Sequence, residues 1–148
     1  MRDVMTINCL NRFKISISSI VIFYLSVNCG YCQNKHTIDS IQKSYQICLD
    51  NGQFMSSCSK RYYRQMDSVL NVVYSKLRLN IDSVAKIQLK KEQKEWLLKR
   101  DKYFKENQNE ISGSAAQDDI MEMYDKNANF VKGRVLYLIE RFEKIKKK

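Results

Sequence analysis

The sequence predicts an all-α fold: a small helical bundle built on a long antiparallel helical hairpin plus a long carboxy-terminal helix. Three observations predict it. The 148 residues include four glycines and no proline, where average usage would give roughly seven prolines, so nothing interrupts long helices. Apolar residues beyond position 38 recur in steps of three and four. No alternating strand pattern occurs outside the first thirty residues. A hydrophobic share of 44% and a charged share of 28% describe a folded domain rather than a disordered tail, and the length is that of one domain.

The amino terminus reads as an address. Positions 1–14 carry Arg2, Arg12 and Lys14 against Asp3, and positions 15–27 are apolar, hydroxyl-diluted and uncharged. A basic stretch followed by 13 such residues has the dimensions of a secretory signal peptide, placed here at 1–32. The alternative is a retained amino-terminal anchor, although a span needs roughly 17–25 apolar residues; lipid modification at Cys29 is a further variant. Residues 33–148 then form the exported domain, periplasmic or secreted. Removing 1–32 takes three bases and one acid, lowering the formal charge from +10 to +8.

Of five cysteines, Cys9, Cys29 and Cys32 fall within this leader. The remaining two, Cys48 and Cys58, read as a disulfide in an exported protein and as buried free thiols in a cytosolic one. Cys29 and Cys32 have the spacing of a redox dithiol, but no strand–helix context follows them.

Four helical segments follow. The first, 38–49, ends at Asp50, Asn51 and Gly52, with Gly52 suited to a left-handed helix stop. The second, 57–79, places Leu70, Tyr74 and Leu77 at helical spacing, continued by Ile81, and leaves Lys60, Arg61, Arg64 and Lys76 for solvent. The third, 83–107, starts behind Asp82 as N-cap and puts Leu89, Trp96 and Phe104 on one face with Gln93 and Arg100 between them. Ser112, Gly113 and Ser114 make a loop, and Ser114 with Gln117 has capping-box spacing. The fourth, 115–144, carries Tyr124, Ala128, Val131, Val135, Leu138, Phe142 and Ile145 in alternating steps of four and three. The second and third segments, joined by a short turn, are expected to pair antiparallel with the fourth lying across them.

Two polar and aromatic sets interrupt the apolar faces. One is Asp67, Leu70, Asn71 and Tyr74; the other is Gln93, Trp96, Arg100 and Asp101. On antiparallel helices they can face each other. A buried Asp67 would need a cation such as Arg100, Asn71 and Gln93 could cross-link the helices, and Trp96 would supply buried area. Such a set is either a network that fixes bundle register or a pocket; residue types favour the network.

The order Cys48, Cys58, Asp67-x-x-Leu70-Asn71-x-x-Tyr74, Leu89-x-x-x-Gln93-x-x-Trp96-x-x-x-Arg100-Asp101, extended weakly to Gly113-Ser114 and to Arg134-x-x-x-Leu138, resembles the LprI-type lysozyme-inhibitor-like N-terminal domain family over residues 45–140. The resemblance implies an exported, mostly helical, disulfide-stapled domain and, from the family name, inhibition of lysozyme. The family pattern has a second cysteine pair, just after the Arg-Asp and in the last helix. This chain has Phe104 near the first position and no Cys after Cys58, so an aromatic core contact is expected in place of the bridge.

The function expected is therefore binding to a lysozyme-like muramidase, with no catalysis and no cofactor. The alternative is a basic structural or adaptor protein of the envelope that binds an anionic polymer, a lipid surface or an acidic protein through Lys86–Lys105 and Lys144–Lys148. Glu92, Glu95, Asp101 and Glu106 interleave the first of these runs, which also fits an ordinary solvated face. Nucleic-acid binding has only charge and Tyr62, Tyr63 and Arg64 in its favour. A single histidine, His36, and the lack of nucleophile–base, phosphate-loop or metal-ligand spacing leave catalysis and metal binding without a candidate residue.

Overall fold

The computed structural model describes residues 30–113 and 116–146. It contains four helices: α1 (Gly30–Asp50), α2 (Met55–Leu79), α3 (Ser83–Glu110) and α4 (Gln117–Lys146). The all-α class holds, and each expected segment corresponds to one helix. Residues 1–29, with most of the expected leader, and Ser114, with the expected capping box, lie outside the described residues. Residues 31–148 form one compact unit.

The helix ends follow local chemistry. After α1 the chain turns at Gly52, whose φ of 65° is left-handed and whose N–H donates to the Leu49 carbonyl at 2.8 Å. Gly is the residue that takes this conformation at no steric cost. Asp82 caps α3, its carboxylate accepting the Ala85 N–H at 2.9 Å, which satisfies one of the orphan donors of the first turn. Asp118 and Asp119 sit in the first turn of α4, and Lys144 and Lys146 in its last, matching the helix dipole at both ends. α1 starts eight residues before the expected position 38. The stretch before Ile38 has no apolar stripe to announce a helix and no residue that would break one. His36 is accordingly an exposed residue of α1.

Core side chains come mainly from two helices. α2 contributes Tyr62, Met66, Leu70, Val73 and Leu77, and α4 contributes Ala128, Val131, Val135, Leu138, Ile139 and Phe142. α3 adds Leu89 and α1 adds Ile38. The closest backbone packing is between α2 and α4, while α3 lies more loosely against α4. Ser56 of α2 donates to Gln117 of α4, and seven residues on Tyr63 meets Tyr124, so these two helices ascend together. The side chains between α3 and α4 run in opposite order: Asn107 meets Asn127, Trp96 meets Phe130 and Gln93 meets Arg134. The fourth segment, expected to lie across a hairpin, is thus one half of the central pair.

Cys48 and Cys58 form a disulfide with Cα atoms 5.9 Å apart. It ties the end of α1 to the start of α2, and Tyr45 stacks on Tyr62 across the same junction at 4.5 Å. Phe104 packs edge-on against Tyr63 at 5.6 Å and against Phe130 at 6.4 Å. These are the aromatic contacts expected where the family pattern has its second bridge.

Candidate functional site

Six of the eight residues of the two polar and aromatic sets share one cleft; Trp96 and Asp101 do not line it. Asp67, Leu70, Asn71 and Tyr74 from α2 and Gln93 and Arg100 from α3 line one cleft of about 350 Å³, with Lys90, Lys94 and Leu97 completing it. The helical period brings them there: positions three, four and seven apart share a face.

The chemistry inside differs from a sealed network. Arg100 lies 4.0 Å from Asp67, with 24% and 37% of the two side chains exposed, so Asp67 is not the fully buried acid expected from the sequence. The tighter partner of Arg100 is its neighbour Asp101, which accepts from Nη2 at 2.7 Å and Nε at 2.9 Å. A partly exposed pair of this kind adds little stability. Asn71 is exposed, and Gln93 reaches the other way: its Oε1 accepts from Arg134 Nε at 3.1 Å. Gln93 therefore links α3 to α4 rather than to α2.

Trp96 is half-buried against the core, stacked on Phe130 at 5.8 Å. The guanidinium of Arg100 lies 5.8 Å from its ring centre, and that of Arg134 lies at the same distance. Trp96 thus meets a cation from its own helix and one from α4, a cation–π arrangement. Arg134 also lies 5.0 Å from the Tyr137 ring. Burial lowers the Arg134 pKa from its ordinary value, and its Nη2 has no hydrogen-bond partner in the structure. Leu70 is fully in the core. In sum, Asp67, Gln93, Trp96, Arg100 and Arg134 connect three helices, and their contacts are mostly with one another and with Phe130. No arrangement of nucleophile and base arises among them.

A second polar cluster gathers around Tyr45. The Tyr45 hydroxyl lies 2.6 and 2.7 Å from the two Asp125 oxygens and 3.0 Å from Ser59 Oγ. Burial, followed by the hydrogen bond to Asp125, pushes the Tyr45 pKa up to about 12. Tyr62, stacked on it, is raised by burial and then by the Asp125 charge. The cluster joins α1, α2 and α4, and its members are 14 and 80 residues from Tyr45, so no local spacing announces it. Asn107 and Asn127 form a buried pair at 2.7 Å, and Arg141 pairs with Glu92 between α4 and α3. Among the described residues no group of three or more His, Cys, Asp or Glu side chains could hold a metal ion, and no helix is long and apolar enough to cross a membrane.

Among the described residues the most exposed large apolar side chain is Phe54, at 80%. It is the residue before α2, in the turn closed by the disulfide, and its φ of 54° and ψ of 37° are left-handed. A lone aromatic in a polar turn has no periodicity, so no local pattern in the sequence singles it out.

A family model described as Lysozyme inhibitor LprI matches residues 33–134. No curated protein and no solved structure matches the chain. The matched span takes in the disulfide, both halves of the α2–α3 cleft and Arg134 at its end, and the chain belongs to the lysozyme inhibitor LprI family.

Proposed function

We propose that the protein is an exported binding protein that inhibits a lysozyme-like muramidase by occupying its cleft, residues 1–32 being the leader and 33–148 the domain that acts. The family match over residues 33–134 carries this reading. The geometry supports it in two ways. The residues that give the chain its family pattern are largely engaged in holding α2, α3 and α4 together, which is the work of a scaffold. The acting part is strongly basic, with a formal charge of +8 once residues 1–32 are removed, and a muramidase cleft presents carboxylates that cations can meet.

A second reading rests on α3. Lys90, Lys91, Lys94, Lys99, Lys102 and Lys105 are all exposed, a row that would suit an anionic polymer, a lipid surface or an acidic protein of the envelope. One experiment separates the two: binding and cell-wall lysis with a panel of muramidases at two salt concentrations. Near-stoichiometric inhibition that survives raised salt supports cleft occupation. Binding that disappears with salt, without inhibition, supports the polyanion reading.

A further inference from the structure

We infer that Phe54, in the turn that leads into α2, together with Arg61 and Arg64 exposed on that helix, is the edge that enters the muramidase cleft; this deepens the inhibitor reading and rests on it. Among the described residues Phe54 is the one non-glycine residue with positive φ. L side chains rarely adopt that conformation, because Cβ crowds the backbone. A glycine would hold the same turn without the clash. The ring is also 80% exposed, so it gives the fold almost no burial in return. An exposed aromatic held in the left-handed region is the kind of backbone outlier that clusters at contact sites.

The turn is held firmly in shape. The disulfide closes it, the Phe54 carbonyl accepts from the N–H groups of Ser57 at 2.8 Å and Cys58 at 3.1 Å, and Ser56 is fastened to Gln117 of α4. An aromatic presented by a preformed turn loses little freedom on binding.

The chemistry along the face identifies the partner. Positions 54, 57, 61 and 64 follow in steps of three, four and three, and all four are exposed. Neither Arg61 nor Arg64 is in an ion pair among the described residues. At a rise of 1.5 Å per residue, Arg61 stands about 10 Å along the helix from Phe54 and Arg64 about 15 Å. The complement is a site with an apolar aromatic pocket beside unpaired carboxylates. A muramidase cleft has that composition: its acid carboxyl is kept protonated by an apolar aromatic pocket, and a second, ionised carboxylate lies about 5 Å away in retaining enzymes. Phe54 would fill the pocket, Arg61 would make a charge-assisted pair with the ionised carboxylate, and Arg64 at the rim would speed encounter.

The test uses the full chain, with its disulfide intact, against the muramidase panel. The variants are Phe54→Gly, the double charge reversal Arg61→Glu with Arg64→Glu, and Lys43→Glu, an exposed position of α1, as a control. Phe54→Gly relieves the backbone, so its melting temperature is expected to hold or rise while inhibition weakens at least about 10-fold, as for a central aromatic contact. The double reversal is expected to lose at least as much, and Lys43→Glu to stay within about twofold. Full inhibition by the Phe54→Gly and Arg61/Arg64 variants, with an inhibiting parent, overturns this edge and leaves the inhibitor reading standing. A parent that neither binds nor inhibits any muramidase overturns both.

Discussion

Removing the bridge between Cys48 and Cys58, by reduction or by Cys→Ser at both positions, should destabilise the domain by an amount that follows from its loop. The two cysteines are 10 residues apart. Opening a loop of that size restores unfolded-chain entropy of about 9 cal/mol/K, which is ~3 kcal/mol at 25 °C. For a domain of this size a kilocalorie is roughly 4 °C of melting temperature, so a fall of about 10 °C is expected. The loss should begin at α1. Among the described residues its attachments beyond the bridge include Ile38 buried in the core, Ile41 and Tyr45 packed against it, the stack of Tyr45 on Tyr62, and the Tyr45 hydroxyl on Asp125 and Ser59. Thermal melts followed by circular dichroism, with and without reductant, measure the total, and amide exchange resolved by helix shows where it starts. Superimposable melts, with both thiols verified as free, would refute the reasoning, since the entropy model predicts a shift whatever the fate of α1.

Leu138→Ala should cost about 3–4 kcal/mol by urea unfolding, because Leu138 is fully buried in the central α2–α4 pair and truncation leaves a cavity. Trp96→Ala should cost less than a fully buried aromatic, about 2–3 kcal/mol, since the ring is only half-buried on Phe130; a loss below about 1 kcal/mol would show that this stack does not support the bundle. Tyr45 gives a pH dependence with a definite sign. Its folded pKa, raised from 10 to about 12, means the unfolded state releases the proton first, so the contribution is complete below pH 10 and is lost as pH rises towards 12. Discounted for the solvent around this partly exposed hydroxyl, the loss is about 1 kcal/mol. Tyr45→Phe should flatten it, and equal falls in both proteins would show that other tyrosines, such as Tyr62, dominate the alkaline slope.

Much of this architecture is written in local pattern, and some is not. The stripe from Tyr124 to Ile145 specifies its helix and its buried face in one reading, because a period of 3.6 leaves few alternatives over 22 positions. Asp82 and Gly52 mark helix ends because their chemistry is local. The pairing of helices is less legible. A short turn between α2 and α3 draws attention to that pair, yet the closer contact is with α4, whose partner face is equally apolar and lies sixty residues on. The family residues are legible as a group, and antiparallel helices let the two halves face each other, but the residue types favour a closed network over the open cleft they line. Their partners are not legible: Gln93 turned to Arg134 rather than Asn71, a choice made by the position of α4. Tyr45 and Asp125 were invisible for the same reason, and Phe54 because strain appears only in backbone angles.

The pairing of α2 with α4 has a consequence for how the chain reaches its fold. Most helical bundles close early, through contacts between neighbours in sequence. Here the principal apolar stripe of α2 has no adequate cover until α4 has been made, at nearly the last residue, and closing so large a loop delays the step further. The bridge between α1 and α2 and the α2–α3 turn can form beforehand without completing a core. Truncation before about residue 117 should therefore leave a collapsed species rather than a smaller native domain. Late closure also keeps a nascent chain extended and threadable until α4 is available, as the export proposed above would require.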